Sequence, residues 1–321
     1  MLIFIRRCMM EVFKIMDIQE FRKTYKIPRA VVIDYKVAYD NKIYLLMMTE
    51  KDFSIKEKVK WGIGIKDQYH FFCIDFDWEA GAVKKVEPFS FNHWDKRIHY
   101  WCPLQENFLL VRARANSKDR VKNAYVVDKN GTVLKGMHFG DGINECYTTP
   151  NGRIITSYID EGIFREGNWP AESGVTMWDE NGKSIWKNRK YDIWHTCAMN
   201  LDPMKRLWFY YYGSLNEDYD TMYHLVCSRK EGDLVFAPDI RSSRGFAVTK
   251  DYKKLFLGGG YKDESSVYVY DMDCTTQKLT DKKKVIFESD EMEIKSFGYK
   301  FSEDKVFLFT PEGRLFAGQL K

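Results

Sequence analysis

Proline is scarce in this chain, 8 residues in 321, and no run reaches the roughly 18 apolar residues that a membrane-spanning helix needs. Seven cysteines are scattered without any C-x-x-C pair, which removes the usual zinc-ribbon and thioredoxin-type readings. An odd, dispersed set, several of it inside apolar runs, fits small buried thiols in a reducing compartment. Net charge is also lacking: 50 Lys and Arg face 46 Asp and Glu, and a balance of +4 is too small to imply nucleic acid or a membrane as partner. No G-x-S-x-G elbow, H-E-x-x-H pair, P-loop or dinucleotide fingerprint occurs. Gly258-Gly259-Gly260 precedes Tyr-Lys-Asp-Glu rather than a helix, so it reads as a loop and not a phosphate cradle. The N-terminal MLIFIRRCMMEVFKIM is apolar, but two arginines interrupt it and no small-residue cleavage site follows, so the expectation is a soluble cytoplasmic protein. Met16 is a second candidate start of translation.

What the chain has in plenty is aromatic residues, with 22 Phe, 20 Tyr and 9 Trp, and these favour pleated strands. One pattern recurs: an apolar strand ending in a polar residue, a turn with Gly or Asn, then a second strand. It appears at 73–86, 126–136 (VVDKNGTVLKG), 177–187 (MWDENGKSIWK), 227–237, 269–279 and 309–318 (FTPEGRLFAG). Asp-x-Asn-Gly between alternating apolar runs is a hairpin signal, because Asn and Gly accept positive φ. A second hairpin type alternates with it, beginning at Asp40, Gln105, Pro150, Asp202, Asp251 and Glu303, and apolar strands such as KIYLLMM and RLWFYYY follow.

A repeat near 50 residues holding about four strands predicts a six-bladed, all-β propeller, each blade burying its faces against its neighbours. With strands named a to d from the axis outward, the second hairpin type joins a to b and the first joins c to d. The expected blades span 30–87, 88–139, 140–190, 191–240, 241–289 and 290–321, with 1–29 as lead-in. The last unit runs out after strand c, and the segment 11–18 is expected to close the ring as its missing strand, which removes an open sheet edge. A pair of β-sandwiches or a short solenoid is the alternative. Helix is expected only near 18–25.

The segment 140–164, GDGINECYTTPNGRIITSYIDEGIF, resembles a group of bacterial six-bladed propeller-like proteins, mostly without assigned function, whose third unit carries similar Asp-Gly-Ile and Ser-Tyr-x-Asp-Glu-Gly segments. The resemblance implies the fold and no particular activity.

The b–c and d–a loops are long and should share one face, the expected functional face. Asp141 lies in a d–a loop at the channel mouth, Glu145 enters strand a, and Asp160 and Glu161 end strand b; the four are expected to converge and are candidates for a divalent cation. Asp and Glu beside Gly equally suit plain turn formation. His93 beside Trp94, and Trp194 beside His195, sit in d–a connections; His195 and Glu145 are the catalytic candidates. Loop charge is basic on the first two units (Lys51, Lys56, Lys58, Lys60, Arg112, Arg114, Lys118, Arg120, Lys122) and acidic on later ones (Glu217, Asp218, Asp220, Glu288, Asp290, Glu291, Glu293). Trp61, Phe164, Trp169, Tyr212 and Tyr219 add aromatic anchors. Two functions follow. The first is a binding propeller that recognises a protein or peptide through this face, at Trp61, Asp141, Asp160, Glu161, Trp169, Trp194 and Tyr212. The second is a metal-dependent small-molecule hydrolase or lactonase. No cofactor is expected apart from that possible cation, and oligomeric state is left open.

Overall fold

The computed structural model describes residues 7–49, 68–91, 97–115, 121–167, 170–215, 223–290 and 292–321. Two strands come first, β1 (Arg7–Glu11) and β2 (Phe13–Asp17), followed by the helix α1 (Ile18–Thr24). Blade 1 then runs β3 (Val31–Val37), β4 (Ile43–Thr49), β5 (Gln68–Asp77) and β6 (Ala82–Phe89). Blade 2 follows with β7 (Tyr100–Leu104), β8 (Asn107–Val111), β9 (Ala124–Val127) and β10 (Val133–Met137). Blade 3 has β11 (Ile143–Thr148), β12 (Ile154–Tyr158), the one-turn helix α2 (Asp160–Ile163), β13 (Val175–Trp178) and β14 (Ser184–Lys187). Blade 4 has β15 (Asp192–Leu201), β16 (Leu207–Ser214), β17 (Tyr223–Cys227) and β18 (Leu234–Phe236). Blade 5 is built from β19 (Phe246–Val248), β20 (Lys254–Gly258), β21 (Val267–Asp273) and β22 (Lys278–Ser289), with the short β23 (Met292–Glu293) beside β22. Blade 6 has β24 (Gly298–Ser302), β25 (Lys305–Phe309) and β26 (Arg314–Gln319).

These are six blades of four antiparallel strands in a ring, the predicted propeller, with the fifth widened to six strands by β1 and β23. The turn chemistry explains the repeat. In four c–d turns an Asp accepts backbone N–H groups just ahead of it: Asp77 from Glu79 and Ala80, Asp128 from Asn130 and Thr132, Asp179 from Asn181 and Lys183, Asp273 from Thr275 and Thr276. Such Asx turns hold the hairpin before any tertiary contact forms. Each a–b turn carries one residue of positive φ: Asn41, Gln105, Gly152, Lys205, Tyr252 and Glu303. Only two of the six are Asn or Gly, so the position is set by the blade and the residue tolerates it.

The sixth unit corrects one expectation. FTPEGRLFAG does not join c to d; its Pro311-Glu312-Gly313 turn joins β25 to β26, the b and c strands, and lies on the other face. The reason is that strand d comes from the N-terminus. β2 pairs antiparallel with β26, Asp17 opposite Arg314, and closes blade 6 as predicted. The preceding β1 runs parallel to β22 and widens blade 5, Met9 opposite Ile286. Val12, fully buried, spans the gap between the two blades. One short segment thus fastens two adjacent blades. α1 begins at the predicted place, capped by Asp17, whose carboxylate accepts the N–H of Gln19 at 2.8 Å, and it packs Phe21 edge-on against Phe72.

The core lies between blades, where alternate residues of neighbouring sheets interdigitate. β4 and β16 are buried along almost their whole length, and Trp208, Phe209 and Tyr210 are interblade core as their pattern indicates. Among the described residues no helix is long and apolar enough to cross a membrane.

Candidate functional site

Three groups of side chains stand at or below the loop face. The first surrounds the entry to β11. Gly142 has φ +75, and a Cβ there would lie 2.7 Å from Cα of Gly162, so the two glycines bring the Asp-Gly-Ile and Asp-Glu-Gly loops into contact. The backbone of Ile159 donates to the carbonyl of Gly142 at 2.9 Å and completes the junction. The two loops therefore meet, but their carboxylates are held by separate partners and form no contiguous acidic cluster among the described residues. Asp141 is 1 % exposed; one oxygen accepts the N–H of Ala115 at 2.7 Å, and the other is ion-paired with Arg165. Arg114 bridges the loops, 3.7 Å from Asp141 and 2.6 Å from Glu161. Asp160 meets His195, whose Nδ1 lies 3.2 Å from Oδ1 of the carboxylate and 3.3 Å from the Asp160 backbone nitrogen. Among the described residues no three His, Cys, Asp or Glu side chains converge as a metal would need. Close by, His99 accepts the N–H of Ala113 at 3.1 Å, and burial followed by Arg97 and Arg112 pushes its pKa down to about 4.

Glu145 does not belong with these acids. It sits on β11 facing the axial channel, and its carboxylate accepts the N–H of Met199 from β15 at 3.0 Å. The reason is strand geometry: Glu145 lies inside the strand, beyond the loop that presents Asp141, and points to the channel side. Its neighbours are charges on other inner strands. Asp34 and Lys36 of β3 are both nearly fully buried and 3.3 Å apart, and Lys300 of β24 is ion-paired with Asp34. Lys36 also donates to the carbonyl of Cys146 at 2.8 Å and lies over the rings of Tyr100 and Tyr147. Burial works to raise the pKa of Asp34, yet Lys300 and Lys36 outweigh it and hold the carboxyl below its ordinary value. For Lys36 burial works downward and Asp34 more than offsets it, so the ammonium is held charged. Glu145 gets less help. Burial, only partly offset by Lys300, the Met199 N–H and Lys36, pushes its pKa up to about 7.

The third group is aromatic. The β15–β16 hairpin is bulged twice near its upper end, between Ile193 and His195 and between Thr196 and Ala198, and bulges re-aim side chains. Gly213 permits this, since a Cβ there would lie 2.0 Å from the carbonyl oxygen of Asp192. Trp194, held by a 2.8 Å bond from Nε1 to Asp192, meets Tyr212 edge-on at 5.2 Å between ring centres. Tyr212 meets Tyr223 at 5.2 Å, and the Tyr223 hydroxyl bonds Ser242 at 2.6 Å. Beside the row stand Phe164, 67 % exposed at the end of α2, and Tyr261, 70 % exposed in the b–c loop of blade 5.

The structure thus brings together Asp141, Asp160, Glu161 and His195, sets Trp194 and Tyr212 beside them, and separates Glu145. Trp61, Trp169, Tyr219, His93, Trp94, the lysines from Lys51 to Lys60, and Lys118, Arg120, Glu217, Asp218, Asp220 and Glu291 lie outside the described residues. Sequence reasoning missed Arg165 as the partner of Asp141, and the channel charges. The latter had a signal: Asp34 and Lys36 alternate within the apolar strand VVIDYKV, which puts both on one side of it.

No family model matches the chain, and no curated protein matches it in sequence. Solved structures similar to it over most of its length include a catalytically inactive virginiamycin B lyase from Staphylococcus aureus with quinupristin, at 10 % identity and TM-score 0.46, covering 92 % of this chain and 97 % of that one. The β-propeller domain of the Trilobed protease from Pyrococcus furiosus is similar at 14 % identity and TM-score 0.46, over 90 % of this chain and 81 % of that one. A PQQ-bound aldose sugar dehydrogenase from Streptomyces coelicolor is similar at 9 % identity and TM-score 0.46, over 89 % and 93 %.

Proposed function

We propose that this propeller is a recognition module that holds a protein or peptide partner on its loop-bearing face, across blades 3 to 5. The observation that carries the reading is the aromatic row Trp194, Tyr212 and Tyr223, flanked by the exposed Phe164 and Tyr261. These rings stand on strands or beside them, so they offer contact area whose ordering is already complete, as interface anchors require. The charges around them are fixed in opposite-sign contacts, Arg114 against Glu161 and Arg165 against Asp141, and His195 stands beside Asp160. Such a frame orients a partner and gives specificity more than affinity.

The hydrolase reading keeps one observation in its favour, the Glu145 carboxyl at about 7, which suits a general base near neutral pH. A cation at the mouth has less support, because Asp141 spends its oxygens on Ala115 and Arg165 and Glu161 faces Arg114. The test is selection of a displayed random-peptide library on the intact protein, with counter-selection on a Trp194→Ala/Tyr212→Ala variant. Peptides that hold to the first and not to the second are expected. Failure to enrich any, together with a saturable rise in melting temperature in Ca²⁺, Mg²⁺, Mn²⁺ or Zn²⁺, would overturn the proposal in favour of the metal enzyme.

A further inference from the structure

On the face opposite the loops, blades 3 and 4 diverge around a cleft of about 830 Å³. Its walls are tight turns, the a–b turns of both blades and the c–d turn of blade 4. These turns deliver five cations, Arg153, Lys205, Arg206, Arg229 and Lys230, against one lining carboxylate, Glu231. Two cations are compensated. Lys205 is ion-paired with Glu303, and Arg229 lies 3.8 Å from Glu231 and donates to the carbonyl of Gly232 at 2.9 Å. Among the described residues the other three meet no carboxylate. Arg206 stands 5.1 Å over the ring of Tyr252, which orients its guanidinium without neutralising it. Asp202, the nearest acid in its own turn, is spent on the N–H groups of Met204 and Arg206, the Trp208 indole and the Tyr252 hydroxyl.

Below the cations the floor changes character. Trp186 and Met177 of blade 3 and Leu207 of blade 4 line it, and Trp186 is half-buried, so part of its surface is presented to the cleft. Concave sites of this size, with an apolar floor and a few converging polar groups, are the usual form of small-molecule pockets. Uncompensated guanidinium groups select phosphate oxygens, which they bind through paired N–H donors. A flat ring against Trp186 satisfies the floor.

We propose that this cleft binds a small phosphate-bearing ligand with a flat, apolar body, of the nucleoside-phosphate class, independently of the partner face. The cleft is recessed between two rigid sheets, which favours a small molecule over a phosphorylated protein segment. The test is titration calorimetry on the full chain with ADP, pyrophosphate, adenosine and a phosphothreonine peptide as probes. ADP should saturate, pyrophosphate should bind more weakly, and adenosine more weakly again. Arg153→Ala/Lys230→Ala removes two side chains with no carboxylate partner among the described residues; it should weaken ADP by at least about tenfold with the melting temperature unchanged. Trp186→Leu should remove the advantage of ADP over pyrophosphate while leaving pyrophosphate binding intact. No saturable binding of ADP at millimolar concentration, ADP binding unchanged in the double variant, or saturable binding of the phosphopeptide alone would each overturn the assignment.

Discussion

The third blade supplies carboxylates to two places, the mouth of the channel and its wall, and the two sets meet opposite fates. At the mouth, Asp141 and Glu161 face Arg165 and Arg114, whose long side chains are half in solvent and adjust to them. On the wall, Glu145 lies on an inner strand and holds the Met199 N–H of the next blade, and the nearby cations Lys36 and Lys300 are paired with Asp34. Each mouth acid has an arginine of its own, whereas Glu145 has no cation to itself and burial pushes its carboxyl up to about 7, only a few residues along the chain from Asp141.

The comparison breaks most sharply at Asp34. Asp34→Ala leaves Lys36 buried with its main counter-charge gone, and removal of one partner of a buried pair costs about 3–5 kcal/mol. Urea unfolding should show this loss, and Asp34→Ala/Lys36→Met should recover much of it. A single variant as stable as the wild type would mean that the inner strands are wetter than their burial indicates.

Glu145→Gln should act in the opposite direction and depend on pH. The folded-state pKa stands at about 7, above the ordinary 4.5, so the folded protein holds a proton that the unfolded chain has released. The contribution of Glu145 to stability should then fall as pH rises from 4.5 to about 7, by about 3 kcal/mol at most, while His99, held down to about 4, contributes an opposite slope common to wild type and variant. The glutamine variant keeps an acceptor for Met199 and carries no charge. It should be more stable than the wild type above pH 7, with the gap closing toward pH 4.5. Melting curves across that range measure it, and a gap independent of pH would contradict the wall assignment.

Substitutions at the mouth should do less. Asp141→Ala strands the buried N–H of Ala115 and should cost about 1–3 kcal/mol. Glu161→Gln breaks an ion pair whose two side chains are more than half exposed and should cost under about 1 kcal/mol, vanishing in high salt. Denaturant midpoints at low and high salt separate the two.

Most of the ring was legible because its turns are local. The Asp at 77, 128, 179 and 273 fixes a hairpin through bonds to residues two to four places ahead, which a sequence displays directly. Closure by β2 was legible from a shortage, since the last unit lacked a strand. The parallel addition of β1 to blade 5 had no such sign, because it answers no deficit in that blade. The same limit applies to the site. That Asp141 and Glu161 share a locus followed from adjacent loops, but Arg165 as the partner of Asp141 depends on how a loop folds back beyond α2. Glu145 was legible as the entry to strand a, but that its carboxylate turns away from Asp141 to the Met199 N–H of the next blade depends on which side of that strand it faces.

The central claim is that the aromatic row, and not the carboxylates beside it, carries recognition on the loop face. Calorimetric titration of one library-selected peptide against the wild type, Trp194→Ala and Glu161→Gln tests it most directly. The account predicts that Trp194→Ala weakens binding by at least about 2 kcal/mol, as loss of a central anchor does, while Glu161→Gln stays within about 0.5 kcal/mol of the wild type. Equal binding by Trp194→Ala and the wild type, with loss in Glu161→Gln, would contradict it.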